Sequence, residues 1–323
     1  MQSKKYFILV LLCLLNCFAK AQNSQTILTP AEYNDKIVGE QYKIQQKIFD
    51  YTSYAVHSEN IEEIIAKRLA VILQIDASIA SIQAMPEIKK DGNLKKEAVD
   101  VFVYYKTLFE LDFKDSDELA KNKNNSYNDL KKYYASLDKA TKKMQKAVED
   151  MAKAQQKFAD KNAMKIVASE NPNTETFKKI SEFNEYQRAI TMEIMKPTFA
   201  NKDFLGALEA QKVKESHREK IVETATEAIE NLKAMKAFNK SAELKNSAIA
   251  LATFYKNFAK KQYVKMVEIS NKKPAERTQK DIDFYNQAVK DFNEQSQKYN
   301  ADYLNISTKI SKSIVPNVTL KWN

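Results

Sequence analysis

Cysteine is nearly missing from this chain: of 323 residues only Cys13 and Cys17 carry a thiol, and both fall within the first 21. Without that leader the chain can form no disulfide, no thiolate metal site and no CxxCH haem attachment. Glycine is as scarce, at Gly39, Gly92 and Gly206, and three scattered glycines cannot build a GxGxxG turn or a P-loop. The two histidines, His57 and His217, sit in no HExxH pattern, and Tyr54 and Lys214 stand where a di-iron ExxH motif needs glutamate. Neighbouring acids such as Glu62 with Glu63, or Glu149 with Asp150, project in different directions from a helix. No triad signature is present. The expectation is a non-enzymatic protein with no metal and no cofactor. Arginine occurs only at Arg68, Arg188, Arg218 and Arg277, so nearly all the positive charge is lysine. Sequence-specific nucleic-acid recognition leans on the planar arginine fork and is not expected.

What the amino terminus does have is a leader. Lys4 and Lys5 precede an apolar run from Tyr6 to Phe18, and Ala19, Lys20 and Ala21 follow, the layout of a secretory signal peptide cleaved after Ala21. Asn16 before Cys17 and Leu12 before Cys13 argue against lipidation, which wants a small residue there. The chain is therefore expected to be exported, to the periplasm, the cell surface or the extracellular medium. Cleavage takes the formal charge from +10 to +7.

The remainder is rich in strong helix formers. Thr29, Pro30, Ala31 and Glu32 make a capping box with proline at the first helical position. Periodic apolar runs follow from about residue 30, from Ile61 to a stop before Pro86, and from about residue 94 through Phe109. A fourth begins at Ser126, where Leu130, Leu137, Met144, Met151 and Phe158 repeat every seven residues and Tyr133, Ala140, Ala147 and Ala154 follow the first four by three, a coiled-coil-like seam. Ser169 to Thr174 breaks the pattern as a linker. Helical runs then resume to Met195 before Pro197, from about 201 to 238, from 241 to 269 and from 278 to 312. From Ile314 the period changes, with Val318, Leu320 and Trp322 alternating. This tail either folds back over one end of the molecule or offers a strand to a partner.

Shifted by 150 residues, the chain matches itself without a gap over three helices. Tyr33, Ile44, Phe49, Met85, Leu94, Lys95, Ala98 and Tyr105 meet Phe183, Ile194, Phe199, Met235, Leu244, Lys245, Ala248 and Tyr255. The expected fold is all-α, a tandem duplication of up-down four-helix bundles with long, partly coiled-coil-like helices: leader 1–21, first bundle 22–172, second bundle 173–313, extended tail 314–323. A single elongated domain sharing one core is the alternative.

Two features stand above this background. Arg68 meets Arg218 under the shift, which implies either a repeated ion pair or an anion position. Between Lys121 and Lys165 twelve lysines face five acids, and Lys132, Lys139, Lys146 and Lys153 repeat every seven residues. On a helix these four form a stripe with roughly 10 Å between neighbours, away from the apolar seam. Such a stripe is a solvated face or a docking site for an anionic surface.

The run Glu32, Tyr33, Asn34, Asp35, Lys36, Ile37, Val38, Gly39, Glu40, Gln41, after its Lys-Ala-Gln junction, resembles uncharacterised exported helical surface proteins of Bacteroidota and spirochaetes. The resemblance covers about ten residues; it implies a cell-envelope location and supplies no active site. The expected function is partner binding by an envelope or surface protein, the partner being an anionic envelope polymer, a lipid surface or another protein. The alternative is a helical-bundle carrier of a small apolar or anionic ligand.

Overall fold

The structure, a computed structural model, describes residues 28–58, 60–88, 92–114, 125–166 and 173–318. The leader, the linker up to residue 172 and the tail residues Leu320 and Trp322 lie outside them. Among the described residues the fold is all-α, with nine α-helices, one short 3-10 helix and no strand. The helices are α1 (Pro30–His57), α2 (Ile61–Gln83), α3 (Leu94–Lys114), α4 (Tyr127–Lys161), α5 (Thr174–Glu209), α6 (Glu215–Ala234), α7 (Glu243–Lys260), α8 (Gln262–Asn271) and α9 (Gln279–Ile314).

Helix starts follow the capping chemistry. Thr29 and Glu32 form the reciprocal capping box of α1, Ser126 caps α4 through the Asp129 amide, and Thr278 with Asp281 caps α9. Gly92 and Asn93, at φ 63° and 73°, turn the chain into α3. Proline does not end a helix where it was expected to. Helix α5 runs through Pro197 to Glu209, and the run expected from 201 to 238 divides into the end of α5, a turn and α6. Pro197 removes one backbone hydrogen bond, a cost of about 3 kcal/mol. Beyond it the same face buries Phe204 and Leu208, each contributing about 1.5–3 kcal/mol, and the Thr198 hydroxyl donates to the Ile194 carbonyl at 2.8 Å. Packing wins over the local breaker.

Helices α1 to α4 pack in chain order around one buried cluster, which includes Tyr33, Ile37, Ile44, Val71, Ile75, Ile82, Leu94, Phe102 and Phe158. Helices α5 to α9 surround another, which includes Phe183, Ile194, Phe204, Ile221, Leu232, Leu244, Leu251 and Tyr263. A smaller cluster joins α4 to α5 through Leu130, Tyr133 and Phe199, so the amino-terminal part of the α4 seam packs across the two halves. Leu137, Ala140 and Met144 lie outside the described side chains.

Positions 150 apart share their environment. Leu94 and Leu244, Ala98 and Ala248, Ile82 and Leu232, and Tyr33 and Phe183 are all buried. Tyr105 and Tyr255 each belong to the core of their own half, and burial pushes both phenols up. The clearest correspondence is a turn lock. The Lys95 ammonium donates to the Met85 carbonyl at 2.8 Å, and Lys245 donates to the Met235 carbonyl at 2.7 Å. In each half a lysine from the next helix satisfies a carbonyl left open where the preceding helix ends.

One buried difference is polar. Glu40 on α1 accepts from Ser78 at 2.8 Å and Ser81 at 3.0 Å on α2, and from Lys43 at 2.8 Å, whereas residues 190 and 228, the counterparts of 40 and 78, are the buried Ile190 and Ala228. Burial alone would raise the Glu40 carboxyl, but the bonds from Lys43, Ser78 and Ser81 outweigh it and hold the group below its ordinary value. A depressed folded-state pKa stabilises above the unfolded value and loses that contribution as pH falls through the folded one. Glu40→Gln is therefore expected to cost about 1–3 kcal/mol at pH 7. The gap to the wild type should narrow in urea titrations as pH falls below the ordinary glutamate range. A pH-independent gap would assign the loss to packing alone.

Candidate functional site

Helix α4 positions the lysine stripe. Its inward face buries Leu130, Tyr133, Ala147, Met151, Ala154 and Phe158, which leaves the opposite face to water. Lys132, Lys146 and Lys153 expose 72%, 74% and 68% of their side chains, and Lys139 is also exposed. Asp129 lies 3.5 Å from Lys132, and Asp150 sits between Lys146 and Lys153, so three of the four have an acid on their own helix. The hydrogen bond from Lys146 holds Asp150 below its ordinary value and raises Lys146, which keeps its charge well past neutrality.

The middle of the stripe is arranged differently. Asp138, one turn before Lys142, is paired with Arg188 of α5, whose guanidinium also covers the Tyr134 ring at 5.3 Å. The acid is thus drawn toward the second half. Among the described residues Lys139, Lys142 and Lys143 make no ion pair. With Lys146, Ala135 and Asp138 itself they line a shallow depression. The seven-residue spacing singled out Lys139 and Lys146 but missed Lys142 and Lys143, which the 3.6-residue helical turn brings to the same face.

The remaining candidates have structural partners. Arg218 donates from Nε to Glu215 at 2.6 Å and from Nη1 to the Ala259 carbonyl at 3.2 Å, tying the start of α6 to the end of α7. Arg68 is half-buried on α2, but residue 65, the counterpart of Glu215, is Ile65. The particular pairing of Arg218 with the residue three positions earlier is therefore not repeated at Arg68. His217 accepts from the Lys214 amide at 3.1 Å and serves as a local cap of α6. His57, at the end of α1, meets the Val315 carbonyl at 2.7 Å; a carbonyl only accepts, so Nε2 carries the proton and donates. Among the described residues no group of three His, Cys, Asp or Glu side chains could hold a metal, and no helix is long and apolar enough to cross a membrane.

The start of the tail folds back. Ser53 donates to the Pro316 carbonyl at 2.9 Å and accepts from the Val318 amide at 3.0 Å, so residues 315–318 are fastened to α1. A second contrast between the halves lies on the outer face of α2. Ile65, Leu69 and Leu73 are 40%, 44% and 68% exposed, whereas the residues 150 later are Glu215, Glu219 and Glu223.

Comparison with family models, with curated proteins and with solved structures finds no match.

Proposed function

We propose that this protein is an exported, non-enzymatic helical protein of the cell envelope or surface, and that it works by docking the lysine face of α4 onto an anionic envelope surface. The observation that carries this is the depression lined by Lys139, Lys142, Lys143 and Lys146, three of which make no ion pair among the described residues. A merely solvated helix face tends to intersperse acids with its lysines, as α9 does with Asp283, Asp291, Glu294 and Asp302. Here the one acid that lines the depression, Asp138, is paired with Arg188. Clustered ammonium groups attract polyanions without stereochemical fit, so the interaction should be diffuse and screened by salt.

Replacing Lys139, Lys142, Lys143 and Lys146 by glutamine should leave thermal stability nearly unchanged, since exposed surface positions each shift stability by about 0.5 kcal/mol or less. Each lysine at an anionic bilayer contributes about 1 kcal/mol, so affinity for phosphatidylglycerol vesicles at low salt should drop at least about a hundredfold. The same variant should elute earlier from a sulfated-polysaccharide column. Equal retention of wild type and variant on both materials sinks the proposal.

A further inference from the structure

A groove of about 290 Å³ opens in the second half, where the end of α5, the end of α8 and the first turns of α9 converge. Its volume falls just under the roughly 300–1,000 Å³ of drug-sized sites, which suits a smaller molecule. Leu208 and Ile269 line it and are buried, and Ile282, also lining it, is 44% exposed. The rest of the lining is polar: the opposite charges Arg277 and Glu209, with Gln211, Ser270, Tyr285 and Asn286.

Neither charge is neutralised by an ion pair among the described residues. Arg277 donates from Nη2 to the Ser270 carbonyl at 3.1 Å, yet its Nε is buried and finds no hydrogen-bond acceptor. Among the described residues neither Arg277 nor Glu209 makes an ion pair, whereas Arg188 and Arg218 both do. Tyr285 stands between them electrostatically: burial pushes its phenol up, Arg277 draws it back and Glu209 pushes it further. Arg277 is half-buried and lines the groove, and among the described residues its guanidinium makes only the one hydrogen bond to Ser270.

We propose that this groove binds a small zwitterion with an apolar side chain, either a free apolar α-amino acid or a short apolar peptide. Arg277 takes the carboxylate, Glu209 takes the ammonium, and Leu208, Ile269 and Ile282 receive the side chain. Arginine presents a planar set of donors that matches a carboxylate, which makes it the anchor. The opposing Glu209 selects against plain anions such as fatty acids, and the aliphatic part of the lining, Leu208, Ile269 and Ile282, favours an apolar side chain. This site is separate from the lysine face and stands or falls independently of it.

Isothermal titration of the full chain with L-leucine, leucyl-leucine, N-acetyl-leucine and leucinamide tests the assignment. Saturable one-site binding is expected for leucine or leucyl-leucine, and the tighter of the two identifies the source. Arg277→Gln and Glu209→Gln should each weaken that ligand by about tenfold or more, the worth of one charge-assisted hydrogen bond. N-acetyl-leucine, which lacks the ammonium, should bind more weakly to the wild type and be indifferent to Glu209→Gln. Leucinamide, which lacks the carboxylate, should likewise be indifferent to Arg277→Gln. Glu209 is exposed and makes no hydrogen bond among the described residues, so Glu209→Gln keeps the test sound even if Arg277→Gln perturbs the fold. Absence of saturable binding of leucine and leucyl-leucine up to on the order of 10 mM would overturn the assignment. So would wild-type affinity for N-acetyl-leucine equal to that for leucine.

Discussion

Tyr263→Ala should cost about 3–5 kcal/mol of unfolding free energy, the range for truncating a large buried aromatic. Tyr263 is 1% exposed, stacks on Phe204 with ring centroids 4.1 Å apart and meets Phe258 edge-on at 5.0 Å. Its hydroxyl donates to Asn201 Oδ1 at 2.7 Å, and Asn201 is itself buried. Truncation therefore empties a volume shared by α5, α7 and α8 and strands an amide oxygen in the core. Tyr263→Phe separates the two effects, keeping the ring and removing only the donor at about 1–3 kcal/mol. Urea denaturation of both variants reads the difference. If phenylalanine costs as much as alanine, the ring stack contributes nothing and the packing described for this core is wrong.

Leu94→Ala and Leu244→Ala form a matched pair with nearly as large an effect. Each leucine opens a helix against the core of its own half, at 0% and 1% exposure, and each is followed by the lysine that locks the preceding turn. Each truncation is expected to cost about 2–5 kcal/mol, because methylene groups leave a close-packed site that relaxes only in part. The two losses should agree to within about a factor of two, the usual scatter for one chemistry in different surroundings. Circular-dichroism melts and denaturant titrations supply both numbers. A loss below about 1 kcal/mol at either position would show that residues 150 apart do not share an environment.

Much of the fold was legible from local chemistry. The caps at Thr29, Ser126 and Thr278 set helix starts because side-chain oxygens there satisfy amides that no helix can satisfy internally. The correspondence at 150 residues was visible because matched core positions such as Leu94 with Leu244 and Ala98 with Ala248 keep their size and polarity. Pro197 was misleading for the opposite reason: its local cost is fixed, while the burial that outweighs it depends on residues far along the chain. The break at Lys261 between α7 and α8 has neither glycine nor proline to announce it. Of the alternating tail only the start is described, and residues 315–318 are held by single bonds to Ser53 and His57, residues four apart on one face of α1.

The candidate sites were legible to different degrees. Seven-residue spacing located the lysine stripe, since charge spacing along one helix is a property of the sequence. That Asp138 pairs with Arg188, 50 residues later, is a tertiary fact and could not be read there. The Arg277 groove was invisible, because four separated segments contribute to it and none carries a motif. Arg277 had been noted only as one of four arginines. The contrast on α2, with Ile65, Leu69 and Leu73 against Glu215, Glu219 and Glu223, lay in the two halves of the sequence but acquires meaning only once the face is known to be exposed.

Lysine-selective acetylation of the intact chain, followed by peptide mass spectrometry with and without phosphatidylglycerol vesicles at low salt, tests the lysine-face account most directly. Lys139, Lys142, Lys143 and Lys146 should be protected by the vesicles, and the protection should fade as salt rises toward about 0.5 M, where screening shortens the reach of exposed charges. Lys280, Lys290 and Lys298 on α9 should react equally in both samples. Uniform protection along the chain, or protection confined to α9, would contradict the assignment of α4 as the docking face.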